Sequence, residues 1–333
     1  MERVEEKSGN IIHRLAWVDI LKGIGIIFVV LGHIYNNKVI FNWLYSFHMP
    51  LFFFISGWLY RKKGIYEDLK NRLKTIAIPY FTFGFIILIY WQFLERHFRY
   101  SNEKFITAFV GLLTGRYSML DFNVHLWFLP CFFWTVMLFN IINNIGGEKI
   151  IYSISIIMSA VFIFINIPEV IWNINLVFKY IGFYLIGYIT KKKDISKFMK
   201  KREKKYNFLI AVLLLGLNFI LAYYSLTNGI FWFITATIGI LSIAIISINI
   251  ENNRILEYLG KISIVILCIH GPIYRVLVKI ISLVMGYETA MVRRNLFLAC
   301  ITVAITLFIC SIAYEIIIRF FPWMIGRKNN LES

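Results

Sequence analysis

Charged side chains are scarce in this chain and acidic ones scarcest: 16% of 333 residues are charged, with 18 Asp and Glu against 35 Lys and Arg. Together with 59% hydrophobic residues and a mean hydropathy of +0.71, this excludes an ordinary water-soluble domain. Cysteine is sparse too. Cys131, Cys268, Cys300 and Cys310 all lie in apolar stretches and lack paired ligand spacing, so neither a disulfide framework nor a zinc site is suggested. A GxSxG elbow, an HExxH pair, a P-loop and a dinucleotide-binding glycine fingerprint are also missing, which removes most standard enzyme classes. No internal repeat is evident, which weighs against an inverted-repeat transporter.

What the chain does have is apolar runs. A bilayer crossing needs ~20 mostly apolar residues. Runs bounded by charged or turn residues predict about ten helices: 17–37, 39–60, 75–94, 124–144, 149–166, 172–190, 206–226, 229–250, 262–284 and 293–321. The net charge of +17 is concentrated in short clusters between these spans, so it reads as an orientation signal and not as a nucleic-acid surface. With the N-terminus inside, the loops 61–74, 144–149, 191–205 and 251–261 and the tail 327–333 are cytosolic, which gathers most basic clusters on one side. The polar N-terminus lacks the pattern of a cleaved signal peptide, so the first run is expected to stay as a helix. The expectation is therefore an all-α, polytopic membrane protein of about ten helices with both termini cytoplasmic. It consists of a cytosolic segment 1–16, a transmembrane domain 17–321 and a basic tail 322–333, in a bacterial cytoplasmic membrane. The longest outer segment, 95–123, carries Gly111 and Gly115 and is expected to re-enter partly or to cover the outer mouth, with GLLTG as a loop.

Ionisable groups at membrane depth are costly and mark functional positions. Asp19, Lys22 and His33 fall within a stripe about 60° wide on the first helix, so they can face one cavity. Lys22 and His33 are about 16 Å apart along the axis, comparable to a pantetheine arm, with His33 about one turn from the outer end. His48, Phe52 and Ser56 share a face of the second helix, where Pro50 frees a backbone carbonyl. His125 opens the fourth helix. His270, Gly271 and Pro272 interrupt the ninth, with Ser263 on the face of His270. Each of these also has a plain structural reading: an interfacial Asp19–Lys22 ion pair, or histidines that bond neighbouring helices.

Five blocks occur in order: WVDILKGIGIIFVVLGH, FHMPLFFFISGWLY, RLKTIAIPY, HLWFLP and LEYLGKISIVILCIHGPIY. In these the chain resembles the acyltransferase 3 family of membrane O-acyltransferases, most closely its sugar O-acetylase branch, which includes fucose 4-O-acetylase-like proteins. The resemblance implies ten or so helices, acetyl-CoA or occasionally succinyl-CoA as donor, no metal, and a cell-surface or exported carbohydrate as acceptor. It places the family's motif of a basic residue, ten intervening residues and a histidine on Lys22 and His33. Lys22 stands where many members have Arg, and so makes a simpler, non-forked phosphate contact.

The expected catalytic residues are then His33 as general base, with His48, His125 and His270 as partners. Asp19, Lys22, Arg72 and Ser56 are expected on the CoA side. Asp19 is about four turns from His33, so the group that orients the base must come from another helix. The rival reading is a transporter or flippase for a glycan or small anion that uses the same intramembrane His, Lys and Asp residues.

Overall fold

A computed structural model describes residues 3–5, 12–99, 103–224, 229–250 and 252–327. The fold is all-α, and among the described residues the one exception is a short antiparallel hairpin, β1 (Arg3–Glu5) with β2 (Ile12–Arg14), in register Arg3 to Arg14. Residues 1–2 and 6–11 of the expected segment 1–16, and 328–333 of the basic tail 322–333, lie outside the described residues.

α1 (Ala16–Ile34) and α2 (Lys38–Trp58) form the first helical pair, and the Asn37 side chain caps α2 by accepting from the Val39 and Ile40 amides at 3.1 and 3.2 Å. α3 (Ile65–Arg72) continues through a π-helical turn into α4 (Ile78–Tyr90), and a second such turn, Trp91–Glu95, leads to α5 (Arg96–Arg99). α6 (Phe105–Thr114) follows, and 3₁₀ turns lead into α7 (Phe128–Phe164). Then come α8 (Ile174–Lys192), α9 (Ile195–Lys201), α10 (Lys204–Tyr223), α11 (Gly229–Asn249) and α12 (Arg254–Lys261). The chain ends with α13 (Ser263–Met285), α14 (Thr289–Arg294), α15 (Leu296–Phe320) and a 3₁₀ turn.

Eight helices among the described residues are long and apolar enough to cross a membrane. One of these, Asp121–Phe164, is 44 residues long, about twice a crossing, and bends at Gly147, whose φ of 70° and ψ of −168° are non-helical. Val136 and Phe139 before the bend and Ile151 after it pack in one cluster with Ile181 and Tyr184 of α8. The two predicted helices 124–144 and 149–166 are thus the two arms of α7, both against α8.

Three local expectations are corrected. GLLTG is not a loop: Gly111 to Thr114 are the end of α6, which Gly115 caps in the left-handed conformation (φ 64°). His270, Gly271 and Pro272 do not interrupt α13, which runs through Pro272. The last predicted helix breaks at Asn295, an extended residue (ψ 116°) whose side chain caps α15 by accepting from the Leu298 amide.

The predicted cytosolic loops meet on one face. Lys191 Nζ donates to the Tyr60 carbonyl at 2.7 Å, Lys62 Nζ to the Asn143 carbonyl at 3.3 Å, and Lys192 pairs with Glu148. On this basic face α12 lies against α1. Gly23 and Gly260 make the approach possible, because a Cβ on Gly23 would run into the Leu256 carbonyl and one on Gly260 into that of Asp19. The opposite face holds the C-terminal end of α1, where Arg293 of α14 donates from Nη2 to the His33 carbonyl (2.9 Å) and from Nε to that of Ile34 (3.1 Å). These bonds satisfy carbonyls that a helix end otherwise leaves open.

Candidate active site

Three of the four expected histidines converge. His33 comes from the last turn of α1, His270 from the first half of α13, and His125 from a 3₁₀ turn ahead of α7 and not from the helix itself. Ring centroids are 3.9 Å apart for His33 and His125, 4.3 Å for His125 and His270, and 5.5 Å for His33 and His270. Gly271 permits this contact: a Cβ there would meet His125 Cδ2 at 2.7 Å and Asn123 Oδ1 at 2.9 Å. Asn123 anchors the 3₁₀ turn by donating from Nδ2 to the Cys268 carbonyl at 2.8 Å.

The hydrogen bonds assign part of the chemistry. His270 Nδ1 lies 2.8 Å from the Ile266 carbonyl, which can only accept, so Nδ1 carries the proton and Nε2 presents a lone pair. That Nε2 is buried without a partner, as are His125 Nε2 and Asn123 Oδ1. His33 Nδ1 is 2.7 Å from Tyr45 Oη. With Nδ1–H donating to Tyr45, its Nε2 also becomes a lone pair. Three imidazoles that share one buried space with unpaired nitrogens form a receptor for a hydroxyl proton.

One nitrogen from each ring lies within 4.8 Å of the others. A tetrahedral ion held at 2.0–2.1 Å needs ligand nitrogens about 3.3 Å apart. A separation within 4.8 Å admits that spacing, so the three nitrogens can converge on a metal ion as well as on a hydrogen-bonded group.

His48, the fourth candidate, stays outside the trio. It is fully buried, donates from Nδ1 to the Leu44 carbonyl at 2.6 Å, and packs edge-on to Tyr45 at 4.6 Å. Tyr45 therefore sits between His33 and His48, and is the orienting group that sequence reasoning missed. Its signal was present: Tyr45 and His48 are three residues apart on one helix face.

Two cavities lie along α13 on either side of His270, and of the trio only His125 lines one of them. On the basic side a cavity of about 360 Å³ is lined by Lys22, Ser56, Arg72 and Lys261, with Phe52 and Leu267 deeper in the wall. Lys22, Ser56 and Arg72 are three of the four expected CoA-side residues. Asp19 is not part of the lining; its carboxylate pairs with Lys22 at 3.5 Å. Arg72 is held by Asp68 at 3.1 Å. On the other side a larger cavity of about 700 Å³ is lined by His125, Tyr274, Arg275 and Arg293 among others. α13 runs past both, with Ser263, Ile264 and Leu267 in the first cavity, Tyr274 and Arg275 in the second, and His270 between them.

An ion-pair network supports the far cavity. Arg275 pairs with the buried Glu95 and donates to the Phe122 carbonyl at 2.9 Å. Arg99 bridges Glu95 (3.7 Å) and Asp121 (3.2 Å). This ties α13, the end of the α4 segment and the His125 turn together. Buried charges need such pairing at membrane depth, and the pair was invisible in sequence because 180 residues separate its members.

The family model described as an acyltransferase domain, that of the acyltransferase 3 family, matches residues 15–315. The chain belongs to that family. Neither the curated proteins nor the solved structures give a match. The matched span runs from the residue before α1 into α15, so it contains all three clustered histidines and both cavities of the acyltransferase.

Proposed function

We propose that this membrane acyltransferase moves an acyl group, in the first place acetyl, from cytosolic acyl-CoA onto a hydroxyl of a carbohydrate beyond the bilayer. One observation carries the reading: along α13, His270 of the histidine trio lies between residues that line a cavity with Lys22, Arg72 and Lys261 in its wall and residues that line a separate cavity that reaches His125.

The basic side suits the donor. Lys22, Arg72 and Lys261 offer charge-assisted bonds to CoA phosphates, while Phe52, Phe128 and Leu267 provide a sleeve for the pantetheine arm. A thioester carried inward meets the trio, and a hydroxyl in the far cavity reaches it from the other side. His33 Nε2 takes the hydroxyl proton, the oxygen attacks the thioester carbonyl, and the tetrahedral intermediate expels CoA as a thiolate that recovers the proton from the imidazolium. The products are an ester and CoA–SH, and the imidazole returns neutral. Tyr45 holds the His33 tautomer by accepting from Nδ1, much as a carboxylate does in a hydrolytic triad. Held reactants also gain from proximity.

The reading is tested by purifying the acyltransferase with His33→Ala beside the parent, and measuring acetyl-CoA binding and loss of acetyl-CoA in membranes that contain the native acceptors. Binding retained with transfer lost supports it. Parental transfer by the variant refutes it.

A further inference from the structure

The wall of the far cavity has two characters. Four cationic side chains, Arg99, Arg275, Lys279 and Arg293, face two carboxylates, Glu95 and Asp121. Both carboxylates are engaged by Arg275 and Arg99, and among the described residues neither Lys279 nor Arg293 has a carboxylate partner. A surplus of two positive charges therefore lines the cavity. Arg293 sits at the end of α1 beside His33, whereas Lys279 lies away from the histidines, nine residues beyond His270 on one helix, about 14 Å along the axis. Beside it the lining becomes apolar and outward-facing, with Val276, Ile280 and Leu283 respectively 42%, 49% and 69% exposed. In a chain that spans a membrane, such a stripe on α13 meets lipid and not water. The lining of the cavity thus reaches a lipid-facing surface of α13 at the level of Lys279.

We propose that the acceptor enters as a glycolipid whose sugar is joined to its lipid through a phosphate or pyrophosphate. This deepens the acyl-transfer reading and rests on it. The anion is held at Lys279, the lipid chain lies along Val276, Ile280 and Leu283, and the 14 Å between Lys279 and His270 is filled by the sugar whose hydroxyl reaches the trio, on the side where Arg293 adds positive charge. A free, uncharged sugar would use neither the surplus charge nor the apolar stripe. A soluble anion would use only the first.

The test measures binding of geranylgeranyl pyrophosphate, as a sugar-free probe, to the full-length acyltransferase in phosphatidylcholine nanodiscs. Geranylgeraniol, inorganic pyrophosphate and phosphatidylglycerol serve as comparison probes. The lipid pyrophosphate is expected to bind at least roughly tenfold more tightly than the alcohol or the inorganic anion, to weaken by about the same factor in Lys279→Glu, and to weaken with added salt. Arg293→Lys keeps the charge and is expected to retain most of the affinity, which guards against a variant that merely loses the α1 cap. Unchanged affinity in Lys279→Glu overturns the proposal. So does inorganic pyrophosphate binding as tightly as the lipid form, which marks a soluble-anion site, or phosphatidylglycerol competing equally, which marks a general anionic-lipid surface. Acetyl-CoA affinity in the same discs reports the donor side separately. If it is normal while the lipid probe fails, only the glycolipid proposal falls; if it is lost while the probe binds, the donor reading falls.

Discussion

The two cavities of this acyltransferase differ in size and in how they use charge. The basic-side cavity, about 360 Å³, has its cations near the mouth and an aromatic and aliphatic wall toward the histidines. The far cavity, about 700 Å³, has paired charges at Glu95, Arg99, Asp121 and Arg275, Arg293 at the end of α1, and Lys279 farther along α13 beside exposed apolar residues. The first suits a narrow chain threaded from a charged anchor. The second suits a broad ligand that presents a hydroxyl. On the proposed reading, the difference places the direction of transfer in the shape of the walls, with His270 on α13 between the two cavities and His125 in the wall of the larger.

That comparison is broken most severely at the trio. His33→Ala is expected to lower acyl transfer by roughly 10² to 10⁴ while acyl-CoA affinity stays parental, since only the general base is removed. His125→Ala and His270→Ala measured beside it rank the other rings. A selective collapse at one of them, with His33→Ala near parental, would move the base there.

The basic-side cavity is tested next. Lys22→Ala removes the proposed charge-assisted phosphate contact, worth about 1.5–3 kcal/mol, so acyl-CoA affinity is expected to fall by about one to two orders of magnitude. Unaltered binding by calorimetry would leave Lys22 as a partner of Asp19 only. Arg72 shares the lining but is already held by Asp68, so Arg72→Ala is expected to cost less.

Gly271→Ala sharpens the far wall. The added methyl meets His125 and Asn123, and overpacking of this kind costs about 1–3 kcal/mol. Transfer and melting temperature are expected to fall with acyl-CoA affinity kept. A variant with parental turnover would mean that the His125 contact is not needed. The smallest effect is expected from Tyr45→Phe. It removes one hydrogen bond, about 0.5–1.5 kcal/mol, and so lowers transfer by a factor of a few up to about ten. No change at all would remove Tyr45 as the orienting group.

Much of this was legible in the sequence because bilayer thickness ties apolar run length to helix length. α1, α2, α10 and α11 fall close to their predicted spans for that reason. His33, His125 and His270 were legible as costly intramembrane polar groups, although their mutual contact was not. That contact depends on a Cβ-free position at Gly271 and on a 3₁₀ turn around Asn123, features with no periodic signature. Glu95 with Arg275, and Arg293 on the end of α1, were hidden for a different reason. Pairing between distant spans follows from how helices pack, which apolar periodicity in a single sequence does not encode. Asn295 looked like the interior of a long helix because apolar residues continue on one side of it, and its capping role appears only with the break.

The central claim is that donor and acceptor enter from opposite faces and meet at the trio. Sealed vesicles of known orientation, carrying the acyltransferase and its native acceptors, test it most directly when labelled acetyl-CoA is supplied to one face at a time. The account predicts labelled acceptor on the far side when acetyl-CoA is given to the face of Lys191 and Lys192, and none in vesicles that carry His33→Ala at equal protein level. Labelling that requires acetyl-CoA on the Arg293 face, or that persists in the His33 variant, would contradict it.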